Sequence, residues 1–463
     1  MSLLLVVFFS AAGDNRSVAS IAAATFQDRR MTYSLGEIAS YARTPVGRRR
    51  LIVKLRGRTW PVMRGLGTLY RRTWLRDLRL IAVTGSFGKS SAVQLLVAAL
   101  GLPLSERILG KKNGLWTVQR DLLATKRGEK LAVFEVGIDR CGQMALQTRA
   151  LQPDVAVVTA VGGEHLENMG SIETIAFEKS RLVHGLRPTG IAVLNGDDAR
   201  VRAMAEVAPG EVWTFGLGPE NDARAVDIAD DWPNGSRFTA LVRGERVDVR
   251  LPLIGHHTIR LAVAALAVAK IAGVPLDAAA ARLAAMPRIG RRLDTLSLAN
   301  GVTLLCDHEK NAIESLTVAL EALAQAPGRK VLVVSMIRAA SEDMAPLFEK
   351  AAALFARTVD EAVVIGPGVE RLIEPVRALG FPAGRIHQTA PGILDAITTV
   401  QGVLRPGDTV LLKGRVAQKL DRLILALQGR KVVCNLEVCE TPGWYCESCA
   451  MLETGFADRV RLG

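Results

Sequence analysis

The residues best suited to chemistry lie in one short loop. Gly85-Ser86-Phe87-Gly88-Lys89-Ser90-Ser91 follows an apolar run over 80–84 and precedes a helical pattern over 92–100. A strand, a glycine loop and a helix opening on Lys and Ser make an anion cradle. Backbone N–H groups and the helix N-terminus point at phosphate, Lys89 neutralises the outer phosphates, and the Ser90 hydroxyl suits Mg²⁺. The generic loop has a glycine five residues before the glycine of its Gly-Lys pair. Val83 stands there, so this is the shorter form, Gly-x-x-Gly-Lys-Ser-Ser.

Downstream blocks take meaning from a resemblance. The short loop, Phe134-Glu135-Val136-Gly137, the run Gly163-Glu164-His165-Leu166-Glu167 and Ala176-Phe177-Glu178-Lys179 resemble, in order, blocks of the Mur ligase family. So do Val193-Leu194-Asn195-Gly196-Asp197-Asp198, Gly255-His256-His257, Gly290-Arg291-Arg292-Leu293, Asp307 with Glu314-Ser315, and the run 407–414. The histidine segment is nearest to the branch that adds D-alanyl-D-alanine. The matches span roughly residues 79–425.

The resemblance implies roles. Glu135 and Ser90 would share one Mg²⁺. His165 and a carbamylated Lys179 would hold a second ion. Gly85, Ser86, Gly88, Lys89, Ser90, Ser91, Asn195, His257 and Asp307 would line the nucleotide, with Asp307 at the ribose. Arg291 or Arg292 would reach the γ-phosphate when the domains close, and Lys413 would sit in the closed site. The chemistry agrees. Activating a carboxylate as an acyl phosphate builds charge on the transferring phosphoryl group, which metal ions and lysines must neutralise. A carbamate makes lysine an anionic oxygen ligand, which suits a hard cation. The expected activity is an ATP-dependent, ADP-forming ligase that makes a peptide-like amide in cell-wall or related polymer synthesis. A carboxylate substrate, small or polymeric, and an amine are its implied partners.

Departures bear on the substrate. Thr258 stands where the family has an adenine-reading asparagine. The stretch Cys306-Asp307-His308-Glu309-Lys310-Asn311-Ala312 lacks the usual Asn-Pro and carries unusual charges. Ile337-Arg338-Ala339-Ala340 replaces a glycine-rich turn, and residues 1–78 show none of the family's UDP-binding motifs. A poly-amino-acid synthetase and a catalytically reduced ATP-binding scaffold therefore stay open as alternatives.

These residues need a frame. A chain of 463 residues exceeds one core and suggests about three domains. Buried-strand patterns at 131–136, 155–159 and 191–195 alternate with helical ones such as 172–185, 258–272 and 275–286. A second alternation has strands at 302–306, 330–335, 361–365, 385–388 and 409–413, with helices at 314–324, 342–355, 392–400 and 417–427. The fold expected is α/β: a central P-loop-type ATPase domain with a parallel sheet, plus a smaller Rossmann-like C-terminal domain. The domains expected are a basic N-terminal region (1–78), the ATP-binding domain (79–295), the ligase domain (296–430) and a cysteine tail (431–463).

The net charge is +13, yet residues 43–80 hold twelve basic side chains against Asp77 alone, which is +11 of it. That stretch reads as an amphipathic basic helix pair that presents either a solvated face or a contact with anionic lipid or a polyanion. No nucleic-acid motif accompanies it. The apolar run 3–9 is too short to span a bilayer and reads as a buried strand, and no apolar run of eighteen residues occurs. The expected location is the cytoplasm, with the inner membrane face as an alternative. Cys434, Cys439, Cys446 and Cys449 cluster in the tail; in a reducing compartment the spacing predicts a structural Zn²⁺ site.

Overall fold

A computed structural model describes residues 45–103, 113–337, 344–439 and 445–455, with side chains from Thr59 onward. The expected strand at 3–9 and the turn residues 338–340 lie outside the described residues. Thr59–Arg459 forms one compact unit that holds both sheets. The other unit is described only over 45–58.

The basic segment forms one helix, α1 (Pro45–Thr73), not the expected pair. Its last turns are fastened to the body by Arg71, whose side chain is wholly buried. The guanidinium donates to Leu151 O at 2.8 Å and Gln152 O at 3.2 Å, and pairs with Asp154 at 3.2 Å. Asp154 also accepts from Leu80 N in the first strand, at 2.8 Å. Burial pulls the Arg71 pKa down against the attraction of Asp154. Replacing Arg71 with methionine removes the donor from the carbonyls of Leu75, Leu151 and Gln152 and a buried partner from Asp154. The expected loss is about 3 kcal/mol of stability, read as a lower denaturant midpoint. An unchanged midpoint refutes this anchoring role.

Strand β1 (Arg79–Thr84) is buried on both faces because helices cover both sides of a parallel sheet, hence its unbroken apolar run. It pairs in parallel with β2 (Leu131–Glu135) and β3 (Val155–Val158). The sheet continues through β4 (Ile191–Asn195), β5 (Glu211–Gly216), β6 (Ala223–Asp231), β7 (Gly235–Val242) and β8 (Glu245–Leu251), in the order β2-β1-β3-β4-β5-β6-β7-β8. The last three strands are antiparallel. β8 alternates buried and exposed residues along its length. A search for continuous apolar runs passes over such a half-exposed strand.

Helix α2 (Lys89–Leu100) starts at the phosphate loop and packs against α6 (His256–Ile271). Residues of α6 are buried almost all round, so it is an internal helix of alanines and leucines. Between them come α3 (Leu115–Leu123), α4 (Gln143–Leu151) and α5 (Ile172–His184), and α7 (Leu276–Ala284) follows.

The second sheet has the order β13-β12-β11-β14-β10-β9. Its strands are β9 (Asp294–Ser297), β10 (Thr303–Asp307), β11 (Lys330–Ser335), β12 (Glu361–Ile365), β13 (Ile386–Thr389) and β14 (Thr409–Lys413). All pairs are parallel except β9 with β10. Helices α8 (Ile313–Ala324), α9 (Ala345–Thr358), α10 (Glu370–Ala378), α11 (Ile393–Val403) and α12 (Asp421–Leu427) alternate with them. The α/β architecture with a second, smaller sheet agrees with the expectation. No helix among the described residues is long and apolar enough to cross a membrane.

Candidate active site

The loop between β1 and α2 runs against the end of β3. A Cβ at Gly85, whose φ is +151°, would stand 2.0 Å from Thr159 Oγ1, so only glycine allows this approach. Gly88 caps α2 at φ +80°, in the left-handed region. The loop is then pinned: Thr159 Oγ1 donates to Phe87 O at 2.6 Å, and Ser86 N donates to Ala160 O at 2.8 Å. Ser86 Oγ exchanges hydrogen bonds with Gly162 O and N at 3.0 and 2.9 Å. Such a rigid loop keeps its N–H groups aimed without reorganisation.

Lys89 is buried beside it. Its ammonium donates to Gly85 O and Ser86 O and pairs with Glu164 Oε2 at 3.0 Å. Burial pushes the Glu164 carboxyl up, but Lys89 and Lys310 outweigh it and hold the group well below the usual carboxylate range. His165 adopts φ +67°, with Nε2 3.5 Å from Asp139 Oδ1.

Ser171 caps α5, accepting from Thr174 N at 3.0 Å, and the helix carries Lys179 inward to 3% exposure. Burial first, then Lys89 and Lys310, push the Lys179 amine down to about 7 against the pull of Glu164. Glu135 ends β2 in register with Val83 of β1 and accepts from Asn113 Nδ2 at 2.6 Å.

The second sheet supplies the opposite wall. Asp307 and Lys413 end neighbouring strands in register and form an ion pair, with Lys413 fully buried. Lys413 also donates to Lys310 O at 3.0 Å. Two cavities meet here. One is lined by Ser86, Gly88, Lys89, Ser90, Ser91, His257, Arg292, Asp307, Lys310 and Lys413. The other, of about 560 Å³, is lined by Glu164, His165, Glu167, Glu309, Lys310, Glu314 and Arg415 among others. Burial, Arg260 and Lys413 push the His257 imidazole down to about 4 despite Asp307, so it is neutral near pH 7.

Most of the residues expected in the site are thus brought together. Arg291 and Arg292 part ways. Arg291 Nε bonds Asp421 at 2.8 Å, whereas Arg292 lines the phosphate-loop cavity with a buried Nε that has no hydrogen-bond partner. Asn195 is engaged elsewhere: its Nδ2 donates to Thr159 O at 2.8 Å and its Oδ1 accepts from Asp197 N at 3.1 Å. Sequence reading assigned no role to Glu164 or Lys310. The one signal for Lys310 was the unusual charge of residues 306–312.

The zinc expectation finds no support. Among the described residues no group of three or more His, Cys, Asp or Glu side chains is placed to hold a metal ion. The tail is instead fastened by the buried Arg422, which donates to Gln418 O, Cys434 O and Leu436 O at 2.8, 3.0 and 2.7 Å. Arg422 Nη1 also lies 3.4 Å from Cys434 Sγ. Burial and Asp421 push the Cys446 thiol up to about 11. Residues 440–444, between Cys439 and Cys446, lie outside the described residues. Magnesium makes a smaller demand. Bound largely by phosphate and water, it needs only one or two protein oxygens, and Ser90 and Glu135 are donors of that kind.

Comparison with known proteins agrees with this geometry. The Mur ligase middle domain matches residues 83–269, and the Mur ligase glutamate ligase domain matches 291–416. The UDP-N-acetylmuramoyl-tripeptide–D-alanyl-D-alanine ligase of Escherichia coli K12 is 29% identical over 373 residues, 77% of this chain and 78% of that protein. The enzyme of the same name from Mycobacterium tuberculosis is 31% identical over 376 residues, 76% of this chain and 73% of its own. Among solved structures, MurF from Acinetobacter baumannii superposes with a TM-score of 0.70 at 23% identity, covering 80% of this chain and 81% of that one. MurF from Thermotoga maritima in complex with ADP gives 0.69 at 21%, covering 80% and 84%. This chain therefore belongs to the Mur ligase family, the ADP-forming enzymes that use ATP and Mg²⁺ to join a carboxylate to an amine through a peptide-like bond.

Proposed function

We propose that this ligase joins the peptide carboxylate of a cell-wall precursor to an amino acid or short peptide whose amine enters the 560 Å³ cavity. When bound, ATP gives its γ-phosphoryl group to a carboxylate oxygen, ADP leaves with the bridging oxygen and its electron pair, and the amine then displaces phosphate from the acyl carbon and loses a proton to water. The observation that supports this best is convergence. Lys89 from the first sheet, Arg292 from the connection, and Asp307 with Lys413 from the second sheet line one cavity, and Lys310 opens that cavity to the larger one.

Each side chain has a task in this reading. Gly85 to Ser91 fix the phosphates, and Lys89 and Arg292 neutralise their growing charge. Arg292 is the arginine of the pair that reaches the nucleotide, because Arg291 is already held by Asp421. Ser90 and Glu135 hold Mg²⁺. His257 stays neutral beside the nucleotide, and Asp307 meets the ribose while Lys413 fixes its orientation. His165 and carbamylated Lys179 hold the second ion.

The test is ADP release with paired substrates, followed by the mass of the product. The pairs include a UDP-linked muramoyl tripeptide with D-alanyl-D-alanine, and a glutamyl oligomer with glutamate. Amide product from the muropeptide pair is the expected result. Product from the glutamyl pair alone overturns the cell-wall assignment, and no ADP from any pair overturns the ligase reading.

A further inference from the structure

We propose that Lys310 is a second phosphate-binding lysine, carried by the second sheet, and that Glu164 is its positioning residue. This rests on the ligase reading above. One carboxylate holds two lysines from opposite walls of the site. Glu164 Oε2 is 3.0 Å from Lys89 Nζ, and Glu164 Oε1 is 2.7 Å from Lys310 Nζ. The residues are 146 positions apart in the chain, so the contact exists only where the two walls meet. Lys310 lines both cavities, and Arg292 lines the one that holds the phosphate loop.

The electrostatics follow from this geometry. Desolvation of its ammonium end first, and then Lys89, lower the Lys310 pKa. Glu164 relieves both ammonium groups at once. Its own position is fixed from the other side, because Gly163 N donates to Glu314 Oε1 at 2.6 Å. A carboxylate between two lysines occupies the place that a terminal phosphate oxygen would take. An arriving triphosphate offers more charge than one carboxylate, so both lysines can turn to it. Lys310, whose side chain is 55% exposed, has room to turn, whereas Lys89 stays tethered to the loop carbonyls. Glu164 therefore aims Lys310 at the phosphate loop before the nucleotide arrives.

The proposal separates a third phosphate from the first two. For Lys310→Gln, affinity for a non-hydrolysable ATP analogue falls about tenfold by calorimetry, while ADP affinity stays within about twofold. Lys310→Arg restores the difference. For Glu164→Gln, the competing charge is gone, so the analogue binds about fivefold tighter while kcat falls, because Lys310 is no longer aimed. Opposite signs in binding and turnover are not what a structural defect produces. Lys310→Gln binding both nucleotides like the wild type, or losing both equally, overturns the proposal, and so does weaker analogue binding by Glu164→Gln. These binding measurements need no acceptor, so they stand even if no substrate pair yields ADP.

Discussion

Lys89→Ala lowers ADP release by about a thousandfold or more, a loss of about 4 kcal/mol of transition-state stabilisation. The reasoning is positional. Lys89 is buried, held by two loop carbonyls, and its ammonium reaches the edge of the phosphate cavity. No other lysine has this tether. Lys310 comes from the other wall and Lys413 is committed to Asp307. The fold survives, because Glu164 keeps its pair with Lys310. Steady-state ADP release and a thermal melt, measured together, decide the matter. A variant that melts like the wild type and keeps a tenth of its rate removes Lys89 from the catalytic centre.

The second large effect belongs to Lys179. Its amine has a pKa of about 7 in place of the ordinary 10.5. The neutral amine adds CO₂ to give a carbamate and releases one proton. The neutral form exists above about pH 7 and is lost as pH falls through it. Activity of CO₂-depleted enzyme is therefore low, and bicarbonate restores it at pH 8 but not at pH 6. Lys179→Ala loses about a hundredfold in rate and ignores bicarbonate. The sign for stability runs the same way. Between about 7 and 10.5 the unfolded chain binds more protons than the folded one, so raising pH through that window adds stability. An alanine variant that keeps half the activity, or a wild type blind to bicarbonate, refutes the carbamate.

Much of this site was legible because its pieces are local. The phosphate loop declares itself by a strand, two glycines and a lysine in ten or so residues. Asp307 and Lys413 each end an apolar strand, and the family resemblance of their blocks is what put them in the site. What escaped is what depends on distant contacts. Nothing in the run around Glu164 announces Lys310. Nothing in Gly290-Arg291-Arg292 says that Asp421 takes the first arginine and leaves the second to the cavity. Strands β5 to β8 escaped for another reason. Several of them show one face to water, and they lack the solid apolar run that marks β1 or β11. In the cysteine tail, spacing alone cannot show that a buried arginine gathers the carbonyls of Gln418, Cys434 and Leu436.

The distance in sequence between Glu164 and Lys310 also orders events in time. As the chain is made, Glu164 emerges 146 residues before Lys310 and the phosphate loop earlier still, and Arg292, Asp307 and Lys413 also come later. The phosphate loop is thus made well before the second-sheet groups that line the same cavity, and a ribosome-bound fragment that stops short of them lacks one wall of the site.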